Sequence, residues 1–133
     1  MNSTGRLILT EAKLYSNGEI KSTSTAAVCA QLVEYHRWAV RNKQDVIAAY
    51  WKVPTYRNRL RLPSADVIPT DLDVIPRLLI FEFDSTHKAA LTQIKEQILT
   101  ELKVQIPNFD GRYIQTVGAA SHLREHHLDG SLE

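Results

Sequence analysis

The chain has 133 residues, of which 44% are hydrophobic and 23% are charged, and its formal net charge is +1 at pH 7. This length suffices for one domain with a real core, and the composition excludes a disordered chain. A single cysteine, Cys29, excludes an internal disulfide and a cysteine-based zinc site. No apolar stretch resembles a signal peptide or is long enough to span a bilayer, so we expect a cytoplasmic protein.

The first predicted element is a strand over residues 7–14. Leucine and isoleucine crowd its beginning, and the turn signal SNGE at residues 16–19 ends it. Because the strand begins apolar on both faces, we expect a sheet that is covered by helices.

Helical spacing of apolar residues predicts a helix from Thr25 to about Val53. The polar run RNKQD at residues 41–45 predicts a break or an exposed turn, followed by a second helix over residues 45–51. Residues 54–76 hold four of the five prolines and read as a connector with extended pieces. Such a long connector is expected to pack against the domain or to carry function.

The next part of the chain predicts a strand, a long helix and a second strand. The segment RLLIFEFD at residues 77–84 reads as a buried strand, Asp84 or Ser85 can cap the helix, and GRYIQTVG at residues 111–118 reads as the second strand. One face of the helix carries an apolar stripe at Leu91, Ile94, Ile98 and Leu102. This order implies a right-handed crossover between two parallel strands.

The predicted fold class is therefore α/β or α+β, with a mixed central sheet flanked by helices. We take residues 1–128 as a single domain, and residues 129–133 as a tail of vector-encoded type that is left out of the fold prediction.

The candidate site lies on the first strand and the helix after it. Residues of a strand alternate between its faces, so Glu11 and Lys13 point the same way. A carboxylate there can hold Mg²⁺, and the ammonium beside it can orient a water or offset charge on a phosphate. Gln31 and Tyr35 are one helical turn apart and share a face, from which they could bind a phosphate or the attacking water.

These residues resemble the PD-(D/E)XK nuclease superfamily. The resemblance rests on Glu11-Ala12-Lys13 in a strand, on Gln31-x-x-x-Tyr35 in the following helix, and on the later strand–helix–strand. It implies a restriction-endonuclease-like partial core and a Mg²⁺-dependent hydrolase of DNA phosphodiesters. Glu11 would be the metal ligand, Lys13 the water-orienting or charge-balancing group, and Gln31 and Tyr35 supporting residues. The same E-x-K spacing at residues 19–21 and 101–103 falls in a predicted loop and a predicted helix, so the strand context selects Glu11.

The sequence departs from the superfamily pattern before Glu11. The pattern has an acidic residue, usually Asp, on the preceding strand, whereas residues 1–10 contain no Asp and no Glu. The chain could be a degenerate remnant, could borrow an acid from a later segment or from a second subunit, or could be a fragment of a longer reading frame. Glu82 is the candidate for an acid borrowed from the same chain. A half-sheet that begins at a central strand leaves an edge exposed, so we also expect a homodimer.

A basic stretch follows the candidate site. Residues 37–61 contain seven basic residues and one acidic residue, and Tyr50, Trp51 and Tyr56 lie among them. Within this stretch three residues alternate and would share one side of an extended segment: Arg57, Arg59 and Arg61. They are the candidate nucleic-acid contacts. The alternative interpretation is a solvated connector.

Two hypotheses of different classes follow. The first is a truncated or degenerate nuclease-like domain, which if active cleaves DNA with Mg²⁺ and which is expected to be inactive as this chain alone. The second is a non-catalytic homodimeric module that binds a partner protein or a small ligand, in which Glu11 and Lys13 are only structural polar residues. Salt-dependent DNA binding separates the two, because phosphate contacts weaken steeply with salt.

Overall fold

The computed structural model describes residues 5–21, 26–52, 59–60 and 69–119. These residues form two α-helices and five β-strands. In chain order the elements are β1 (Arg6–Leu7), β2 (Thr10–Leu14), α1 (Ala26–Trp51), β3 (Asp71–Leu72), β4 (Arg77–Phe81), α2 (Lys88–Gln105) and β5 (Ile114–Val117).

The strands form a three-stranded sheet in the order β2-β4-β5 and a two-stranded sheet of β1 and β3. The register places Glu11 opposite Leu78, and Leu78 in turn opposite Ile114. The predicted class of helices flanking a sheet is confirmed. Within the described ranges every strand pair is parallel, whereas the sequence had favoured a mixed sheet.

The predicted strand over residues 7–14 is split into β1 and β2. The Asp73 amide donates to the Leu7 carbonyl at 2.9 Å, and the Arg77 amide donates to the Leu9 carbonyl at 2.8 Å. Between these two hydrogen bonds, residues 8 and 9 of one chain segment lie opposite the four residues 73–76 of the neighbouring segment. The unequal lengths interrupt the regular ladder of strand hydrogen bonds. The β1–β3 pair and the β2–β4 pair are thus two parts of one parallel pairing that is interrupted between them.

The predicted break at residues 41–45 is wrong, because α1 is continuous from Ala26 to Trp51. The run contains neither Gly nor Pro, and its polar residues cost a helix little. The Asn42 side chain donates to the Trp38 carbonyl at 2.8 Å, and Lys43 forms an ion pair with Asp71 of β3. The polar run therefore faces solvent and a neighbouring strand while the backbone stays helical.

The core lies between one face of the three-stranded sheet and the two helices. The apolar stripe predicted on α2 is confirmed, since Leu91, Ile98 and Leu102 are buried and Ile94 packs against them. From α1 the buried side chains include Cys29.

The ends of β4 and β5 differ from the sequence prediction. β4 ends at Phe81 because Glu82 adopts a positive φ of 61°, which a strand cannot continue. Asp84 then caps the turn that leads into α2, by accepting a hydrogen bond from the Thr86 amide at 2.8 Å. β5 is preceded by a 3₁₀ turn over Gly111–Tyr113, so the second strand is shorter than residues 111–118.

In the part of the chain that the structure describes, no helix is both long enough and apolar enough to cross a membrane.

Candidate functional site

The structure brings Glu11, Lys13 and Tyr35 into direct contact. Lys13 is buried and Glu11 is half-buried on the face of β2 that lies toward α1, whereas Ala12 between them is exposed. The Lys13 ammonium donates to Glu11 Oε1 at 2.7 Å, and the Tyr35 hydroxyl donates to Glu11 Oε2 at 2.8 Å. The two oxygens of the Glu11 carboxylate are therefore held from the strand and from the helix.

A second carboxylate, Glu19, joins the cluster on the other side of Lys13. The Lys13 ammonium forms an ion pair with Glu19 Oε2, so it lies between two carboxylates. The sequence places Glu19 in a predicted loop, outside the candidate site. A compact turn after β2 brings it back, since the Asn17 amide donates to the Leu14 carbonyl and Asn17 Oδ1 accepts from the Glu19 amide. The one sequence signal for this return is the SNG turn motif.

Gln31 lies on α1 one turn before Tyr35. Its Oε1 atom is buried and accepts no hydrogen bond from the residues that the structure describes. A buried acceptor without a donor is costly, so this oxygen is suited to receive a donor from a bound group or a water. The direct contacts of the cluster, however, involve Glu11, Lys13, Glu19 and Tyr35.

The contacts shift the protonation equilibria of all three predicted residues that meet. Burial alone raises the pKa of Glu11, but the hydrogen bonds from Lys13 and Tyr35 and the charge of Lys13 outweigh it and leave that pKa below its usual value. The hydrogen bonds to Glu11 and Glu19 raise the pKa of Lys13. The hydrogen bond to Glu11 raises the pKa of the Tyr35 hydroxyl. The three pKa shifts therefore favour the ionised form of Glu11, the ammonium form of Lys13 and the neutral phenol of Tyr35.

The surroundings of Glu11 bear on the Mg²⁺ site that the resemblance implies. Across residues 5–21, 26–52, 59–60 and 69–119, no three His, Cys, Asp or Glu side chains come close enough together to hold a metal ion. Both carboxylates of the cluster are engaged by the Lys13 ammonium. Glu82, the candidate for a borrowed acid, is exposed just beyond the last residue of β4.

Only one of the three predicted nucleic-acid contacts falls within the described residues. Arg59 is exposed, whereas Arg57 and Arg61 lie outside the described ranges. On α1 the structure instead exposes Arg37 and Arg41, one helical turn apart. These two arginines, with His36 and Val40, line a shallow groove of about 280 Å³.

Comparisons of the chain with protein-family models, with curated proteins and with solved structures gave no match.

Proposed function

We propose that the chain is a DNA-binding, nuclease-like domain of the PD-(D/E)XK type that does not cleave DNA by itself. The observation that supports this proposal best is the direct contact between the two E-x-K residues, Glu11 and Lys13, and Tyr35 on the following helix. The later strand–helix–strand of the resemblance corresponds to β4, α2 and β5, and β4 and β5 are paired in parallel.

Lack of cleavage follows from the charge balance of the cluster. The superfamily pattern has a second acid that accompanies the glutamate of E-x-K, whereas the other carboxylate near Glu11, that of Glu19, is engaged by the same Lys13 ammonium. Hydrolysis would therefore need a further acid, from outside the described residues or from a second copy of the chain.

DNA binding is supported by the exposed arginines of α1. Arg37 and Arg41 project from successive turns, and Arg59 adds a third exposed guanidinium. Guanidinium groups match the geometry of phosphate oxygens and release counterions when they bind a nucleic acid. The homodimer expected from the sequence is part of the proposal, because β2 and β5 are the edge strands of the described three-stranded sheet.

The test combines DNA binding with plasmid integrity. Purified protein is incubated with supercoiled plasmid in Mg²⁺ or Mn²⁺ beside Lys13→Met and Glu11→Gln, with Lys88→Met as a control for an exposed lysine on α2. We expect a gel shift that disappears at high salt, and equal plasmid integrity in all four samples.

Two outcomes would contradict the proposal in different ways. Nicking that is lost in both Lys13→Met and Glu11→Gln, but not in Lys88→Met, would make the chain a complete nuclease. No gel shift at low salt would favour the non-catalytic module that binds a protein or a small ligand. Sedimentation of the same sample measures the predicted dimer.

A further inference from the structure

A cleft opens beside the Glu11–Tyr35 contact, between the start of β2 and one face of α1. Its volume is about 550 Å³, within the range of roughly 300–1,000 Å³ that is usual for small-ligand sites. Its lining consists of Leu9, Thr10, Glu34, Tyr35 and Trp38. The lining of the cleft is therefore largely aromatic and aliphatic, and its polar groups come from Thr10, Glu34 and the Tyr35 hydroxyl.

Two aromatic side chains on one helix face form a wall of this cleft. Tyr35 and Trp38 are three residues apart in α1, so they are neighbours on its surface. Trp38 is 46% exposed and Tyr35 is 36% exposed, and side chains of this size are usually more deeply buried. Flat π-faces left open to solvent at adjacent positions are suited to stack on a planar partner.

The Tyr35 ring is held in place by its hydroxyl. The hydrogen bond to Glu11 at 2.8 Å fixes the far end of the side chain, while the helix fixes the other end. A ring held at both ends loses little conformational entropy when a ligand stacks on it. The cleft thus offers a preorganised stacking surface next to the Glu11–Lys13 pair.

The charges around the cleft indicate which planar partner fits. Glu34, the acidic residue of the lining, is balanced by Arg37 at 3.1 Å. Arg41 lies three residues after Trp38, on a neighbouring part of the same helix surface, and forms no ion pair with a residue in the described part of the chain. A partner with a flat apolar ring and an adjacent anion would meet Trp38 and Arg41 together.

We propose that this cleft binds an unpaired nucleobase, so that the chain binds single-stranded DNA in preference to duplex. This inference rests on the proposed function and adds the substrate class to it. The base stacks on Trp38 and Tyr35, and the adjoining phosphates contact Arg37 and Arg41. A base within a duplex is stacked on its neighbours and presents only its edge, so it cannot enter the cleft without being unpaired.

The test uses the fluorescence of Trp38. The sequence contains two tryptophans, so Trp51→Phe leaves Trp38 as the single reporter. This protein is titrated with an end-labelled oligothymidine and, separately, with a blunt duplex of equal length, while tryptophan emission and label anisotropy are both recorded. We expect the single strand to quench Trp38, and the duplex to bind more weakly without quenching it.

Substitutions at Trp38 separate the effect of aromatic stacking from the effect of side-chain size. Stacking on an aromatic side chain is worth about 1–3 kcal/mol per base, so we expect Trp38→Leu to weaken single-strand binding by about 5- to 150-fold. Trp38→Phe, which retains a π-face, should recover most of that loss. The matched control is Trp51→Phe itself, an exposed tryptophan on the same helix outside the cleft.

Failure of this inference can be distinguished from failure of the proposed function. Equal quenching by duplex and single strand, or single-strand binding that Trp38→Leu leaves unchanged, would overturn the base site while DNA binding stands. Binding of neither DNA at low salt would overturn both. Quenching that depends only on protein concentration would show that a second copy of the chain occupies the cleft, which also overturns the base site.

Discussion

Replacement of Lys13 by methionine tests the electrostatics of the cluster. The Lys13 side chain is only 9% exposed, whereas the side chains of its partners Glu11 and Glu19 are 18% and 39% exposed. Removing one member of a fully buried ion pair costs about 3–5 kcal/mol, because the remaining charge is left without a partner. Since both carboxylates keep some contact with water, we expect Lys13→Met to lower the free energy of unfolding by about 2–3 kcal/mol at neutral pH.

The same variant has a pH dependence that a simple loss of packing would not produce. Without Lys13 the burial of Glu11 is no longer offset by a cation, so the pKa of its carboxyl rises in the folded variant. A carboxyl with a raised pKa favours the folded state at low pH, where it is protonated. The cost of Lys13→Met should therefore be smaller when unfolding is measured at about pH 4 than at neutral pH.

The assay is urea unfolding followed by circular dichroism at both pH values. Lys88→Met, at an exposed position of α2, is the control and should change stability by less than about 0.5 kcal/mol. The reasoning would be refuted if Lys13→Met cost no more than the control at neutral pH, or if its cost were the same at both pH values.

Three further predictions concern acid stability, the core and the start of α2. The pKa of Glu11 lies below its ordinary 4.5 in the folded state, so the ionised carboxylate contributes to folding stability above that pH, and this contribution is lost as the pH falls. Glu11→Gln should therefore lose less stability in acid than the unsubstituted protein, as measured by urea midpoints across pH. Ile98→Ala removes a fully buried side chain of α2 and should cost about 2–5 kcal/mol, measured by the same unfolding assay, whereas Val104→Ala on the exposed face should cost little. Asp84→Ala removes the acceptor for the Thr86 amide and should lower the melting temperature, whereas Asp84→Asn, which keeps an acceptor oxygen, should retain most of the stability in thermal unfolding.

The contact among Glu11, Lys13 and Tyr35 could be anticipated because it depends on simple periodicities. Alternation along a strand places residues 11 and 13 on one face, and the spacing of a helix places Tyr35 one turn after Gln31. The apolar stripe of α2 followed from the same helical spacing. The face on which each residue lies is determined within one element, whereas the approach of Tyr35 to Glu11 across two elements was expected from the family resemblance.

Features that depend on two segments at once were missed. The return of Glu19 to Lys13 depends on the geometry of the turn around Asn17, which spacing alone does not give. The interruption between β1 and β2 depends on the longer neighbouring segment 73–76. The continuity of α1 through residues 41–45 agrees with the good helix propensity of Arg41, Lys43 and Gln44, and it is supported by the ion pair between Lys43 and Asp71 of β3.

The central claim is that this domain binds DNA through phosphate contacts, and the salt dependence of its affinity tests that claim most directly. The measurement is the Kd for a labelled single-stranded oligonucleotide across a series of salt concentrations. If Arg37 and Arg41 neutralise two phosphates, the logarithm of the association constant should fall with the logarithm of the salt concentration at a slope of about −1.4. Arg41→Ala should reduce that slope to about −0.7. No binding at low salt, or an affinity that does not change with salt, would contradict the account.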